Sequence, residues 1–285
     1  MFLPELSPAL KRKFDQLQAY IRTLNSLVVA CSGGVDSTLL LAVAHEVLGD
    51  QVLAVTGADA SVPSREVESV RTFCATRGIR HVICPVNPLK EAGYRHNSPD
   101  RCYFCKKILF TALMGIARKK SIEHIAEGSN RDDTGDYRPG LRAAAELSVK
   151  SPLKEAGLGK EEIRLLAKAL GLPIWDKPAS ACLASRFSYG EEITEEKLRC
   201  VERAEQFLMD SGFRQARVRI HGHLARIEVP REDIEKLAAA EIRQAVCQEF
   251  RRIGFLFTAL DLEGYRTGSM NAALSRETPA EFPGR

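Results

Sequence analysis

The chain has 285 residues, of which 45% are apolar and 27% are charged, and its formal net charge is +4. This length is typical of two domains, and the apolar content is sufficient for a substantial core. The small positive charge is compatible with a phosphate-bearing substrate but is far below that of a dedicated nucleic-acid binder.

The first residues show no secretory-signal pattern, and no apolar run approaches the length of a membrane-spanning helix. We therefore expect a soluble, cytoplasmic protein. Eight cysteines in such a reducing compartment are not expected to form a disulfide framework. Clustered cysteines would instead indicate metal or sulfur chemistry.

The first part of the chain alternates between predicted strands and predicted helices. The strands are expected at 27–31, 52–56, 81–84 and 124–126, and the helices at 37–48, 64–77 and 101–119. This order predicts an α/β fold with a parallel sheet that helices cover on both faces. Ligands bind at the carboxyl ends of such strands, so the loops 32–37, 57–61 and 128–140 should converge on one site.

The pattern changes after Trp175, where Lys177 and Pro178 open an irregular stretch that continues to Gly190. The elements expected beyond it are a helix at 194–211, strands at 216–221 and 224–229, two further helices, and a strand near 255–260. We therefore predict a first domain over 1–176, a smaller α+β domain over 177–275, and a loose tail over 276–285.

The segment Ser-Gly-Gly-Val-Asp-Ser at 32–37 lies between a predicted strand and a predicted helix that starts at Ser37. Its glycines let backbone amides approach an anion, and the helix N-terminus attracts negative charge. An aspartate beside phosphate is understandable if Asp36 holds Mg²⁺ against a pyrophosphate. A simple capped turn is the alternative, but six specified residues in this context favour a phosphate loop. The segment lacks the Gly-Lys-Ser/Thr ending of kinases and GTPases.

Three cysteines form a candidate reactive group. Cys102 and Cys105 are one helical turn apart, and Cys182 lies in the irregular stretch, where Lys177 and Arg186 would favour a thiolate. Three cysteines can hold a [4Fe-4S] cluster with one open iron, whereas structural zinc needs a fourth ligand. A buried pair on an amphipathic helix is the alternative for the Cys-x-x-Cys sequence. Small apolar packing is predicted for the remaining cysteines: Cys31, Cys74, Cys84, Cys200 and Cys247.

The phosphate loop resembles that of the N-type ATP pyrophosphatases, or PP-loop enzymes, which transfer AMP to a substrate oxygen and release pyrophosphate. The wider pattern resembles one branch, the LarE-type ATP-dependent sacrificial sulfur transferases, which act in making the nickel-pincer nucleotide of lactate racemase. Besides the loop, the matching segments are 127–133, 135–140, 151–153, 177–186, 217–219, 225–228 and 261–271.

This resemblance implies a PP-loop domain with a smaller C-terminal domain for substrate binding and oligomerisation. It also implies that ATP and Mg²⁺ are used to adenylate a carboxylate of a pyridinium dicarboxylate mononucleotide, and that sulfur then replaces AMP to give a thiocarboxylate. In single-cysteine family members the residue matching Cys182 gives up its own sulfur and becomes dehydroalanine. In members with a Cys-x-x-Cys, a [4Fe-4S] cluster on three cysteines carries an extra sulfide. Because Cys102 and Cys105 are present, the cluster variant is favoured.

The remaining site predictions concern anion binding and assembly. Arg217 and Arg219 alternate on one strand face and are predicted to clamp the substrate phosphate, with a solvated face of ion pairs as the alternative. The nucleotide-contacting candidates are Ser32, Gly33, Gly34, Asp36, Ser37, Asn130 and Asp132, with turn formation as the alternative for the acidic loop residues. The phosphate-site candidates are Arg186, Arg217 and Arg219, together with Glu205, which the resemblance implies because it matches a family site position. The resemblance also implies a homohexamer.

Three rival functions are considered. A tRNA thiolase shares adenylation but would need a broad basic surface with stacking aromatics, whereas aromatic residues form only 7% of this chain. An amidotransferase-type synthetase would not need the three cysteines. A nucleotide sensor that only binds ATP or AMP would not need Asp36. The sequence therefore favours a small-molecule sulfur transferase.

Overall fold

The computed structural model describes residues 6–135, 139–178 and 181–266. The predicted tail at 276–285, and the parts of the matching segments at 136–138, 179–180 and 267–271, lie outside the described residues. The chain forms two compact units, one of Met1–Tyr94 with Asp100–Ser180 and one of Arg95–Pro99 with Ala181–Arg285. Lys177 and Pro178, which begin the predicted second domain, thus belong to the first unit.

The first unit contains a four-stranded parallel sheet with strand order β3-β2-β1-β4. Its strands are β1 (Leu27–Ala30), β2 (Val52–Ala58), β3 (Arg80–Pro85) and β4 (His124–Ala126). In the register, Val28 pairs with Leu53 of β2 and with Ile125 of β4. Strand β1 is therefore central and lies at the crossover between the two directions of strand addition, where ligands bind in such sheets.

Helices cover both faces of this sheet, as predicted. They are α1 (Pro8–Arg22), α2 (Val35–Leu48), α3 (Ser64–Thr76), α4 (Ala92–Arg95), α5 (Arg101–Lys119), α6 (Pro139–Glu146), α7 (Pro152–Glu155) and α8 (Lys160–Ala169). Alternate residues of β1 enter different clusters: Leu27 and Val29 pack with α1, α2 and α8, whereas Val28 packs with α5. This alternation follows from the two-residue period of a strand.

Helix α2 begins at Val35, so the predicted start at Ser37 is wrong by two residues. Gly34 is the N-cap, with an extended backbone (φ −79°, ψ 160°), and the first turn already includes Asp36. The predicted loop 57–61 also begins too early, because β2 continues through Ala58. The first turn of α2 therefore forms part of the phosphate loop 32–37.

The second unit contains a three-stranded sheet with strand order β5-β6-β7. Strands β5 (Arg217–His221) and β6 (Leu224–Glu228) are antiparallel, whereas β7 (Phe257–Leu260) runs parallel to β6. The helices of this unit are α9 (Glu195–Asp210), α10 (Ile234–Ala238) and α11 (Ala240–Ile253). The Thr194 side chain accepts a hydrogen bond from the Lys197 amide at 3.2 Å and so caps α9.

A short segment from the first half of the sequence joins the second unit. The buried Asn97 side chain donates to the carbonyls of Phe187 (3.2 Å) and Ser188 (2.6 Å), and the Ile193 amide donates to the carbonyl of Arg95 (2.8 Å). The irregular stretch predicted from 177 to 190 therefore gains order from residues that precede it by about ninety positions. In the part of the chain that is described, no helix is sufficiently long and apolar to cross a membrane.

Candidate active site

A cavity of about 570 Å³ lies in the first unit at the carboxyl ends of β1 and β2. The phosphate loop 32–37 lines it, together with Gly57, Asn130 and Asp132 from the other two predicted loops. Lysines from three different segments complete the lining: Lys106, Lys160 and Lys177. The expected convergence of the loops is thus present, in a cavity of a size that suits a nucleotide.

At two positions beside this cavity, neighbouring atoms lie so close to the backbone that a residue with a Cβ atom would clash, which explains the glycines there. Gly33 has φ +77°, and a Cβ atom there would lie 2.7 Å from Oε2 of Glu66. A Cβ atom at Gly128 would lie 2.8 Å from the amide nitrogen of Ser37. The Ser37 hydroxyl accepts from the Ser32 amide at 3.2 Å and donates to the Gly34 carbonyl at 3.2 Å. The loop is therefore shaped by hydrogen bonds within it and by segments packed tightly around it.

A closed circuit of hydrogen bonds joins Asp36, Asn130, Asp132 and Lys160. The Asn130 amide group donates to Oδ1 of Asp36 (3.1 Å), and the Asp132 amide donates to Oδ1 of Asn130 (2.9 Å). The Lys160 amide donates to Oδ2 of Asp132 (2.7 Å), and the Lys160 ammonium forms an ion pair with Oδ2 of Asp36. The Lys160 amide is the main cause that lowers the pKa of Asp132. Three predicted residues are thus brought together by a fourth that was not predicted.

The other two lysines also pair with carboxylates. Lys177 Nζ donates to the Gly33 carbonyl (2.9 Å) and to Oε2 of Glu66 (2.6 Å). Its ammonium, which was predicted to favour a thiolate at Cys182, is thus engaged by the phosphate loop. Lys106 Nζ donates to Oε2 of Glu127 at 2.7 Å. Burial alone would raise the pKa of Glu127, but Lys106 and two serine donors outweigh it, and the pKa is lowered.

The second unit contains a buried arginine–glutamate pair. Arg186 donates from Nε and Nη2 to the two oxygens of Glu205, at 2.7 Å and 2.9 Å. Its Nη1 donates to the carbonyls of Ala181 (2.8 Å) and Cys182 (3.0 Å). Burial by itself raises the pKa of Glu205, but the Arg186 guanidinium dominates and the pKa is lowered. Arg186 therefore fixes the backbone on which the Cys182 thiol is carried.

The neighbouring strand β5 carries the other predicted arginines. Arg219 donates to Oε2 of Glu228 from Nε (3.0 Å) and Nη2 (2.8 Å), and from Nη1 to the carbonyl of Ser185 (3.1 Å). Arg217 lies over the Tyr265 ring at 5.3 Å, and burial followed by the nearby Arg186 charge lowers its pKa. Both arginines are buried, so the alternative of a solvated face is wrong, although ion pairs do form.

The three candidate cysteines divide between the units. Cys102 and Cys105 lie on the first turns of α5 in the first unit, where Cys102 is exposed and Cys105 half-buried, so the alternative of a buried pair is wrong. Cys182 is half-buried in the second unit, before a short 3₁₀ turn (Leu183–Arg186). Among the described residues, no three His, Cys, Asp or Glu side chains gather as a metal-binding group.

Three of the five predicted packing cysteines differ from these in burial, whereas Cys200 and Cys247 are half-buried like Cys105 and Cys182. Cys31, Cys74 and Cys84 are buried, and burial raises the pKa of each thiol, that of Cys74 to about 11. Burial is also the main cause that raises the pKa of half-buried Cys200. Such thiols are poor nucleophiles, as expected for packing residues.

Lys106, Lys160, Glu127 and Glu66 were not foreseen as site residues. Lysines and glutamates in helical patterns are usually solvated, and their partners here are distant in sequence. One signal was available for Lys160, because it occupies the first position of α8, where the helix dipole disfavours a cation. A lysine at such a position indicates an anionic partner nearby.

Comparison with known proteins extends these observations. A family model described as NAD synthase matches residues 9–117. An uncharacterized protein of Synechocystis sp. is 42% identical over 94% of this chain and 100% of its own length. The pyridinium-3,5-bisthiocarboxylic acid mononucleotide synthase of Lactiplantibacillus plantarum is 35% identical over 96% of this chain and 99% of its own. A tRNA-specific 2-thiouridylase of Caulobacter sp. is 28% identical over 54% of this chain and 47% of its own.

Proposed function

The chain belongs to the LarE-type family of ATP-dependent sulfur transferases among the PP-loop enzymes, and we propose that it converts a pyridinium dicarboxylate mononucleotide into a thiocarboxylate. The observation that carries this proposal is the nearly full-length similarity to the pyridinium-3,5-bisthiocarboxylic acid mononucleotide synthase. The similarity to the tRNA-specific 2-thiouridylase covers about half of either chain, so nucleic acid is not the proposed acceptor.

Adenylation is assigned to the cavity of the first unit. A carboxylate oxygen of the substrate attacks the α-phosphorus of ATP, the bond to the β-phosphate oxygen breaks, and pyrophosphate leaves. The phosphate loop offers backbone amides and the Ser32 and Ser37 hydroxyls to the departing anion. The ammoniums of Lys106, Lys160 and Lys177 line the same cavity and balance its negative charge.

Magnesium fits the donors beside the loop. Mg²⁺ prefers oxygen ligands and is usually held by one or two carboxylates together with substrate phosphates. Asp36 is a carboxylate on the first turn of α2 and lines the cavity, with Asn130 and Asp132 next to it in the hydrogen-bonded circuit. When bound, the ion would neutralise charge on the pyrophosphate leaving group.

Sulfur transfer is assigned to Cys182. A sulfur nucleophile attacks the acyl carbon of the adenylate, the carbon–oxygen bond to AMP breaks, and AMP leaves with the electron pair. If the nucleophile is the Cys182 thiolate, the product is a thioester. Removal of the cysteine α-proton then expels the thiocarboxylate and leaves dehydroalanine. Arg186 holds the carbonyls of Ala181 and Cys182, and we propose that it positions this thiol.

A [4Fe-4S] cluster is the second proposed sulfur source. Cys102 is exposed and Cys105 is half-buried on adjacent turns of α5, which suits two thiolate ligands. Cys182 would supply the third ligand. Such a cluster would present an external sulfide at its open iron and so spare the Cys182 sulfur.

The substrate phosphate is assigned to the second unit, near Arg186, Arg217, Arg219 and Glu205. The supporting observation is that all four side chains are buried in this unit. Arg186 pairs with Glu205, and the amide of Val218, which lies between Arg217 and Arg219 on β5, donates to Glu205 at 3.1 Å. The homohexamer and the cytoplasmic location expected from the sequence complete the proposal.

Two experiments test this function. The first measures AMP and pyrophosphate formed from ATP with and without the acceptor mononucleotide. We expect acceptor-dependent release that the Asp36→Ala variant loses, whereas release that does not depend on acceptor would contradict adenylation of this substrate.

The second experiment identifies the sulfur source. Iron and acid-labile sulfide are measured on protein purified without oxygen, for the unmodified chain, Cys102→Ala and the control Cys200→Ala. Iron that is lost only in Cys102→Ala supports the cluster. Protein without iron after reconstitution would instead lose the mass of H₂S from Cys182 after one turnover.

A further inference from the structure

We propose that Lys160 is an exchangeable cation of the nucleotide site. Its ammonium pairs with the Asp36 carboxylate when no nucleotide is bound, and it moves to the nucleotide phosphates when Mg²⁺ takes its place at Asp36. This inference rests on the proposed use of ATP and Mg²⁺. It adds a residue that the phosphate-loop pattern does not contain, 124 positions away from Asp36 in the sequence.

The position of Lys160 is fixed at its backbone. Its amide donates to Oδ2 of Asp132 at 2.7 Å, and the Glu162 carboxylate caps the same helix end by accepting from the Gly159 amide at 2.9 Å. A Cβ atom at Gly159 would lie 2.9 Å and 3.0 Å from the two Asp132 oxygens, so only glycine allows this contact without movement. The long side chain therefore starts from a helix end that two hydrogen bonds hold beside the cavity.

The two oxygens of Asp36 are both engaged in this structure. Oδ1 accepts from Asn130 and Oδ2 is paired with the Lys160 ammonium. A magnesium ion that binds Oδ2 must therefore displace the ammonium, and two cations next to one carboxylate repel each other. The side chain of Lys160 is 35% exposed and that of Asp36 is 19% exposed, so the pair is not buried and can separate.

The displaced ammonium remains inside the cavity, because Lys160 lines its wall and the bond to Asp132 holds the Lys160 amide there. The strongest acceptors that a polyphosphate brings to this cavity are its own oxygens. Lys160 would thus oppose metal binding to the empty site and support binding of the metal–nucleotide complex. A lysine with a purely structural role would change metal binding to the empty site and binding of the metal–nucleotide complex in the same direction.

The test measures the two equilibria separately on the full-length chain. Mn²⁺ alone, detected by electron paramagnetic resonance, reports metal binding without nucleotide. Calorimetry with α,β-methylene-ATP and Mg²⁺ reports nucleotide binding without turnover. The variants are Lys160→Met, Lys160→Arg, and the control Lys154→Met, whose lysine is exposed on α7 and does not line the cavity.

We expect Lys160→Met to bind Mn²⁺ alone about fivefold more tightly and the metal–nucleotide complex roughly tenfold more weakly. Lys160→Arg should retain most of the nucleotide affinity, and Lys154→Met should match the unmodified chain. Unchanged or weaker Mn²⁺ binding by Lys160→Met would overturn the exchange. Because the Mn²⁺ measurement needs no substrate, it decides the role of Lys160 even if the chain transfers no sulfur, which only the turnover assay reports.

Discussion

The lysine–carboxylate pairs of the cavity in the first unit and the two buried arginine–glutamate pairs of the second unit differ in how much water reaches them. In the cavity of the first unit, the lysine partners are 24% to 37% exposed, as seen for Lys177, Lys160 and Lys106. In the second unit, Arg186 and Glu205 are 2% and 1% exposed, and Arg219 and Glu228 are 7% and 0% exposed. The cavity lysines are reached by water and can turn towards an incoming anion, although Glu66 and Glu127 are themselves only 7% and 5% exposed. In the two arginine–glutamate pairs of the second unit both partners are buried, so separating them exposes neither charge to water.

This difference separates two tasks within one enzyme. The partly exposed ammoniums around the phosphate loop can pair with the negative charge that arrives with ATP and leaves as pyrophosphate. Buried guanidiniums in the second unit hold a backbone and its cysteine at a constant geometry. We therefore expect substitutions in the cavity pairs to change binding with little effect on stability, and those in the arginine–glutamate pairs to change stability as well as the proposed binding of the substrate phosphate.

The largest expected effect is on folding. Glu205→Gln leaves the buried Arg186 guanidinium without its carboxylate and should lower the free energy of unfolding by about 3–5 kcal/mol. The cavity counterpart Asp36→Asn should cost less than about 1 kcal/mol, since its pair is partly exposed. Urea unfolding followed by circular dichroism measures both. Equal losses in the two variants would remove the distinction between the units.

The next largest effect concerns the KM for ATP. Lys177→Met removes the donor to the Gly33 carbonyl and the partner of Glu66, so the phosphate loop loses a tie to its surroundings. We expect the KM for ATP to rise by roughly tenfold. The matched control is Lys168→Met, whose ammonium lies over the Trp175 ring at 4.5 Å rather than in the cavity. An unchanged KM in Lys177→Met would contradict the role of Lys177 in holding the phosphate loop.

A third prediction concerns how the contribution of Glu205 to stability depends on pH. The pKa of Glu205 is lowered in the folded chain, so this carboxylate stabilises the fold fully above its unfolded pKa of about 4.3. That contribution is lost as the pH falls below this value and through the lower folded pKa. The stability difference between the unmodified chain and Glu205→Gln should thus shrink between about pH 6 and pH 3. Urea midpoints across this range provide the measurement, and a constant difference would contradict the assignment.

The smallest effect is one of thiol reactivity at neutral pH. Exposed Cys102 should react with iodoacetamide well before Cys74, because burial raises the pKa of Cys74 to about 11 and shields its sulfur. Peptide mapping by mass spectrometry after brief labelling would show the order. Comparable labelling of both residues in the folded chain would mean that the two thiols do not differ as described.

Local patterns predicted the parts of the fold that local physics determines. The apolar runs at β1 and β2 and the glycine-rich turn after β1 were recognisable because each needs only neighbouring residues. The lysine–carboxylate pairs were not, since Lys160 meets Asp36 and Lys177 meets Glu66 only after the sheet has formed. The participation of 95–99 in the second unit was missed for the same reason, because its partners are the carbonyls of Phe187 and Ser188 and the amides of Gly190 and Ile193.

The burial of the predicted phosphate-site arginines was also beyond reach of the sequence. Alternating arginines on a strand are equally compatible with a solvated face and with a buried network. Glu205 and Glu228 decide between these by neutralising Arg186 and Arg219 from different elements.

The most direct test of the proposed function follows the acceptor itself. The anaerobically purified chain is incubated with ATP, Mg²⁺ and pyridinium-3,5-dicarboxylate mononucleotide, and the nucleotide products are analysed by mass spectrometry. We expect AMP together with an acceptor in which sulfur has replaced a carboxylate oxygen, and neither product in Asp36→Ala. AMP release that leaves the acceptor mass unchanged would contradict sulfur transfer to this substrate.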